Sequence, residues 1–354
     1  MKPGKLAFWA GLSIAIILLG GILITRHRQP LTAAVAAVPL PLKGLPPIRG
    51  FAIQVNDPDH IQKYYRSVKH LQNLGCHWIN FVVDARQNNV HSSRVYLNWK
   101  LTAKPAAMTR LLLYAHKLGM HTMLMPIILL DHATGDQWRG TIKPKSWHQW
   151  FVGYRAYIRT YAHVAAAGKC SIFSVGSELL STEKFRGRWL RIVRMTRKIF
   201  HGKLIYSANW DHYKQVLIWH ELDYVAMNAY WRLAYHPGHS VSTLVQRWRP
   251  IQKRVLAFAA KMHRPLLLTE IGWYNLQETI VEPWNYTGSG PVDPTEQLRA
   301  YESFVTAWDG LPRKLFAGAF LWEWMPGGKP GDYGSYSLQG EPALPLMTRW
   351  IGGK

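Results

Sequence analysis

Residues 146–178 read SWHQWFVGYRAYIRTYAHVAAAGKCSIFSVGSE. Apolar residues recur at helical spacing as far as Ala167, Gly168 supplies a C-terminal cap, and residues 170–177 form a short apolar run that ends on Glu178. A helix, a glycine, a buried strand and a polar strand end make one unit of an α/β fold. The same order recurs along the chain. Strands are predicted at 48–55, 78–85, 121–130, 170–177, 203–209, 223–230, 265–271 and 315–322, with helical patterns near 60–74, 105–118, 146–167, 183–200, 214–221, 242–262 and 295–308. Gly75, Gly119 and Gly202 stand with Gly168 between a helix and the next strand. Strands that are apolar throughout, alternating with helices, indicate a parallel sheet covered on its outer face. Eight of them select a closed (β/α)8 TIM barrel, whose active site lies at the C-terminal strand ends.

Ahead of the barrel, residues 6–24 (LAFWAGLSIAIILLGGILI) run 19 residues without a charge, enough to cross a bilayer core of about 30 Å as one transmembrane helix. Residues 1–28 are therefore expected to be a membrane anchor, 29–47 a Pro/Ala-rich linker, and 48–354 the folded domain. This places the domain outside the cytoplasm, on a single-pass anchor in the cytoplasmic membrane. The small-x-small motif Ala34-Val35-Ala36 is the competing feature, since cleavage there would secrete the domain. It lies about ten residues past the apolar run, farther than such sites usually fall.

Lys and Arg number 43 against 20 Asp and Glu, a net charge of +23 and a pI near 10.1. That is the footprint of a polyanion binder. No nucleic-acid motif accompanies it and the charge is spread along the chain, so no specific nucleic acid is expected; anionic lipid or an acidic polymer is as good a partner. Arg191, Arg194 and Arg197 form a stripe read as the solvated face of an outer helix. Cys76 and Cys170 match no metal or redox spacing, and they precede strands that are not barrel neighbours, so buried free thiols are preferred to a disulfide. No cofactor or metal is called for, and nothing specifies an oligomeric state. The 17 Trp and 17 Tyr suit a surface that stacks on sugar rings.

In strand order, the ends present Gln54, Asn56 and Asp57; Asp84 and Arg86; Asp131 and His132; Glu178; Asn209, Trp210 and Asp211; Asn228, Tyr230 and Trp231; Glu270; and Trp322, Glu323 and Trp324. Glu178 and Glu270 each interrupt a strongly apolar run. They lie 92 residues apart, three βα units of about 30 residues, which places them on strands 4 and 7. Two facing carboxylates are the minimum equipment of glycoside hydrolysis. Metal-dependent barrels usually add histidines or a lysine at the strand ends, whereas here His132 stands almost alone. Trp210, Trp231, Trp273, Trp284, Trp322 and Trp324 fall in or beside the strand-end loops and are expected to line a sugar cleft.

From about Ile48 to Ile351 the chain resembles the clan A glycoside hydrolases, most closely family 113, whose described members are β-mannanases. The resemblance is carried by VGSELLS around Glu178, NAYW around Tyr230, RPLLLTEIGWYN around Glu270, EPW at 282–284, the helix start from Gln297 to Tyr301, FAGAFLWEW around Trp322, and the closing QGEPALPLMTRW. It implies Glu178 as acid/base, Glu270 as nucleophile, Tyr230 as a hydrogen-bond donor to the nucleophile, and Trp322 as the floor of the central subsite. Asn209, Asn228 and Ser177 complete the expected contacts, Ser177 standing where many clan members place Asn. Arg86 is expected beside the nucleophile, favouring its charged form, while desolvation keeps a proton on Glu178. The implied activity is retaining cleavage of a β-linked polysaccharide or oligosaccharide, β-1,4-mannan above others. A non-hydrolytic carbohydrate-binding or scaffold barrel in polysaccharide synthesis or export is the alternative that the two glutamates disfavour.

Overall fold

The computed structural model describes residues 46–285 and 287–353. The expected anchor and nearly all of the linker lie outside the described residues, among which no helix is long and apolar enough to cross a membrane. The strands are β1 (Ile48–Gln54), β2 (Trp78–Gln87), β3 (His121–Leu130), β4 (Ile172–Ser177), β5 (Lys203–Ala208), β6 (Val225–Asn228), β7 (Leu266–Ile271) and β8 (Phe316–Leu321). They pair in sequential order into a closed, parallel ring, with β8 returning to β1. The helices are α1 (Gln62–Asn73), α2 (Pro105–Lys117), α3 (Trp147–Ala167), α4 (Arg186–Arg197), α5 (Val241–Lys261), α6 (Pro294–Trp308) and α7 (Leu344–Gly352). The (β/α)8 barrel expected from the alternation is the observed fold.

Each strand is buried on both faces, which is why periodicity two is hidden in the sequence. In β2, Ile79, Phe81 and Val83 join the shell between strands and helices, while Trp78 and Val82 fill the barrel together with Met123, Ile172, Leu267 and Phe320. Closure depends on Gly318. Its φ is +140° at a register shift between β7 and β8, and a Cβ there would run into the carbonyl of Ile48 on β1.

Some expectations change. Residues 214–221 form two short 3-10 turns, Tyr213–Gln215 and Trp219–Glu221, rather than a helix, because Tyr213, Val216, Ile218 and Trp219 are all buried without helical period and Val216 is extended. Arg191 and Arg194 are exposed on α4, as expected of an outer face, but Arg197 is not part of that solvated stripe. It pairs with Asp223 at 2.6 Å and donates to the carbonyl of Gly202 at 3.1 Å, tying α4 to the start of β5 and the segment before β6. Gly75 and Gly119 take left-handed caps, whereas after α3 the left-handed residue is Lys169 rather than Gly168. Cys76 and Cys170 are buried free thiols.

Candidate active site

Glu178 follows β4 directly, beyond a register shift between Ser174 and Ser177. Its φ of +52° is left-handed, costly for a residue with a Cβ and typical of functional positions. Backbone and side-chain braces hold it there. The Glu178 N–H donates to the Ser207 carbonyl at 2.8 Å, and the next N–H, of Leu179, donates to the Tyr206 hydroxyl at 2.9 Å. That hydroxyl donates in turn to buried Glu183 at 2.8 Å, which also takes His212 Nδ1 at 2.6 Å.

Both oxygens of the buried Glu178 carboxyl are occupied. Oε2 accepts from Arg139 and Oε1 from the side-chain amide of Asn228. The amide cannot turn over, because the Trp210 N–H donates to Asn228 Oδ1 at 2.8 Å and so fixes the NH2 toward Glu178. The same NH2 donates to Asn209 Oδ1 at 3.1 Å, and Asn209 donates to Asp211 at 2.7 Å.

Glu270 ends the run on β7, where a register shift against β6 sets it opposite Asn228. The Tyr230 hydroxyl donates to Glu270 Oε2 at 3.2 Å. Burial first, then the charge of Glu178, push the Glu270 carboxyl well above the ordinary range, while Arg139 and Tyr230 pull the other way. The charge of Glu178 thus bears directly on Glu270. Glu323, after β8, is pushed up to about 7 by burial, and its charge adds to the pressure on Glu270.

Arg86 is not beside Glu270. It pairs with Asp84 at 2.7 Å and Asp131 at 3.4 Å, and Tyr96 donates to the same Asp131, so its charge is absorbed between the ends of β2 and β3. Arg86 opposes the burial that raises Asp84 to about 6. The guanidinium of the pair is Arg139, in the loop after β3, where no strand end marks it; an arginine following Trp138 is the only trace of it in the sequence. Two donors on Glu178 likewise replace the apolar surroundings expected there. Ser177, at the end of β4, is fully buried with its hydroxyl unpartnered among the described residues.

The tryptophans divide. Trp273 packs against Trp248 and Tyr301, Trp324 against Phe51, and buried Trp231 against Trp248, so these three belong to the shell between barrel and helices. Trp210 and Trp284 stack at 5.7 Å with planes 25° apart, Arg232 lies over Trp284, and Trp284 is exposed. Trp322 and Trp210 pack on the cluster of Tyr230, Tyr274 and Tyr336. Of the six indoles, three, Trp210, Trp284 and Trp322, keep an exposed face. Among the described residues no group of three or more His, Cys, Asp or Glu is placed to hold a metal.

The arrangement joins two buried, coupled carboxyls, a cation and partly exposed aromatic faces at the mouth of a barrel. Solved structures of similar fold include a family 113 β-mannanase from Alicyclobacillus acidocaldarius, 24% identical, with a TM-score of 0.76 over 88% of this chain and 98% of that one. A second family 113 β-1,4-mannanase is 20% identical, with a TM-score of 0.77 over 87% and 99%. A family 5 mannosidase from Rhizomucor miehei is more distant, at 11% identity and a TM-score of 0.55 over 86% and 92%. No curated protein sequence matches the chain. The sequence profile of Glycoside Hydrolase Family 113 matches residues 59–331, from the turn before α1 to the loop after β8, and the chain therefore belongs to that family of glycoside hydrolases.

Proposed function

We propose that this hydrolase cleaves β-1,4-mannan with retention, by double displacement between Glu178 and Glu270. The observation that carries the reading is the pair of buried carboxyls, Glu178 just after β4 and Glu270 on β7, that share the charge of Arg139. In the first step Glu270 attacks the anomeric carbon and forms a glycosyl ester, while Glu178 gives its proton to the departing glycosidic oxygen. In the second, Glu178 takes a proton from water, whose oxygen displaces Glu270 and restores both groups. Tyr230 holds Glu270 in place for attack. Trp322 offers a face for the reacting sugar.

Two donors, Arg139 and Asn228, face Glu178, while burial raises the Glu270 carboxyl above its ordinary range. Arg139, the donor carried by a loop turn rather than a strand, is the one that must release Glu178 when the leaving oxygen arrives. Mannan is favoured over glucan because the family 113 structures of similar fold are named β-mannanases. The 19-residue uncharged run at 6–24 supports a membrane anchor with the barrel outside the cytoplasm, checked by whether the full chain sediments with membranes and a chain starting at Ile48 does not.

The test is a 2-deoxy-2-fluoro-β-mannosyl fluoride trap followed by peptide mass mapping, together with proton NMR of the first product from mannohexaose. Label on Glu270 and a β-configured product are expected. Label on Glu178 would exchange the roles, an inverted product would remove the double displacement, and faster cleavage of cellohexaose would remove mannan. Binding of mannohexaose without turnover would instead favour the non-hydrolytic scaffold.

A further inference from the structure

Five residues after Glu178 stands a second buried carboxyl, which the proposed reaction does not use. Glu183 follows the 3-10 turn Leu180–Thr182 and precedes α4, with 3% of its surface exposed. The turn that carries it is itself anchored: the Thr182 hydroxyl donates to the Leu179 carbonyl at 2.6 Å, and the Trp189 indole N–H donates to the Thr182 carbonyl at 3.1 Å. Burial raises the Glu183 carboxyl above its ordinary range, and hydrogen bonds from His212 and Tyr206 oppose that rise. An apolar side chain would fill the same space without the desolvation cost. What only the carboxylate supplies is two acceptor oxygens in fixed places.

Each oxygen serves a different support of Glu178. Oε1 accepts from the Tyr206 hydroxyl on β5 at 2.8 Å, and that hydroxyl accepts the Leu179 N–H at 2.9 Å. The direction of this relay is fixed, because an N–H can only donate and the hydroxyl proton is then left for Glu183. Its near end is the peptide that follows Glu178, the residue held at a φ of +52°. Oε2 lies 2.6 Å from His212 Nδ1, in the loop after β5. The His212 N–H donates to the Asn209 carbonyl at 2.9 Å, and Asn209 Oδ1 takes the Asn228 amide that also donates to Glu178 Oε1. One buried carboxylate thus stands behind both the backbone and the side-chain contacts of Glu178.

We propose that Glu183 is a positioning residue for the acid/base Glu178, fixing its backbone turn through Tyr206 and its amide partner through His212 and Asn209. It acts through these residues rather than on the reacting atoms, and the proposal rests on the acid/base role argued above. A general acid must come within hydrogen-bond reach of the leaving oxygen. A left-handed residue with a Cβ keeps its conformation only where its surroundings impose it, and here the imposition runs through the Leu179 N–H. Without the Glu183 acceptor the Tyr206 hydroxyl is free to turn, and the Glu178 carboxyl can leave the line to the glycosidic oxygen. Glu270 is braced separately, by Tyr230, so the nucleophile keeps its place. The defect expected on losing Glu183 is therefore one of proton transfer to the leaving group.

A leaving-group comparison reads that defect. Cleavage of phenyl β-mannobioside needs a proton on the leaving oxygen, and cleavage of the 2,4-dinitrophenyl compound does not. Glu178→Ala is the reference and should lose far more kcat/KM on the first than on the second. Glu183→Gln and Tyr206→Phe should each lose about tenfold on the phenyl substrate and less than about twofold on the dinitrophenyl one. Because both act through one relay, the double variant should still lose only about tenfold, where independent effects would multiply to about a hundredfold. His212→Gln, at a half-buried position, tests the other arm and should lose about threefold with the same selectivity. Equal losses on both substrates beside a selective Glu178→Ala, or multiplied losses in the double variant, would overturn the positioning role and leave the catalytic reading intact. Should the two buried variants fail to fold, His212→Gln decides: a selective loss supports the role, and an unchanged or unselective rate overturns it. A Glu178→Ala protein that loses both substrates equally, or a native protein that cleaves neither, removes the acid/base reading and this proposal with it.

Discussion

Arg139 sets the charge of the cleft more directly than any residue visible at a strand end. It meets Glu178 in a hydrogen-bonded ion pair and Glu270 through space, where its charge favours the ionised form of Glu270. Removing that positive charge makes the Glu270 carboxylate harder to form, so Arg139→Gln should shift the acidic limb of the kcat/KM profile to higher pH, by about 1–3 units. An unmoved profile would show that the pair is set by burial alone; partial return of the native profile in Arg139→Lys is expected if charge is what matters. Glu323 is a cleaner case, because burial alone raises it from 4.5 to about 7. A raised folded pKa means stability present at low pH and lost as pH climbs from about 4.5 through 7. Glu323→Gln cannot ionise, so its Tm should match the native protein at pH 4 and exceed it at pH 8. A gap that is the same at both pH values would assign the effect to packing.

At the scale of elements, the bulges and the strand ends do the positioning. The shift between β6 and β7 is what sets Asn228 against Glu270, and one of the two between β7 and β8 falls at Gly318. Gly318→Ala combines an unfavourable φ with a collision against Ile48, so a loss of roughly 2–4 kcal/mol is expected in urea unfolding, and much of the protein should be insoluble. A loss under about 0.5 kcal/mol would mean that β8 can close without the glycine. The eight strands were legible because burial on two faces leaves unbroken apolar runs, and Glu178 and Glu270 because a carboxyl ending such a run is conspicuous. Arg139 was not, since a loop residue acquires its role from where the chain happens to return. The segment at 214–221 misled for a related reason: its buried residues answer to the barrel wall and carry no period of their own. Trp231, Trp273 and Trp324 lay in the right sequence neighbourhood, but an indole next to a strand end packs outward as readily as inward.

For the whole molecule, the chain carries a net charge of +23, while the Glu178 and Glu270 carboxyls are buried in the barrel. Surface adhesion and turnover should therefore separate. Arg191→Glu with Arg194→Glu removes exposed cations of α4 without touching the Arg197–Asp223 tie. That double variant should leave a sulfonate or heparin matrix at lower salt and keep native kcat on mannan; a fall in kcat at ordinary salt would connect the outer helix to catalysis. The division of the tryptophans bears on how sugar binding can be watched. Ten of the sixteen described indoles are buried, so they emit the same light whether the cleft is full or empty. A titration followed by intrinsic fluorescence should show a small change on a large constant background, and Trp284→Phe, which silences the exposed half of the Trp210 stack, should remove a disproportionate part of that change while barely dimming the whole.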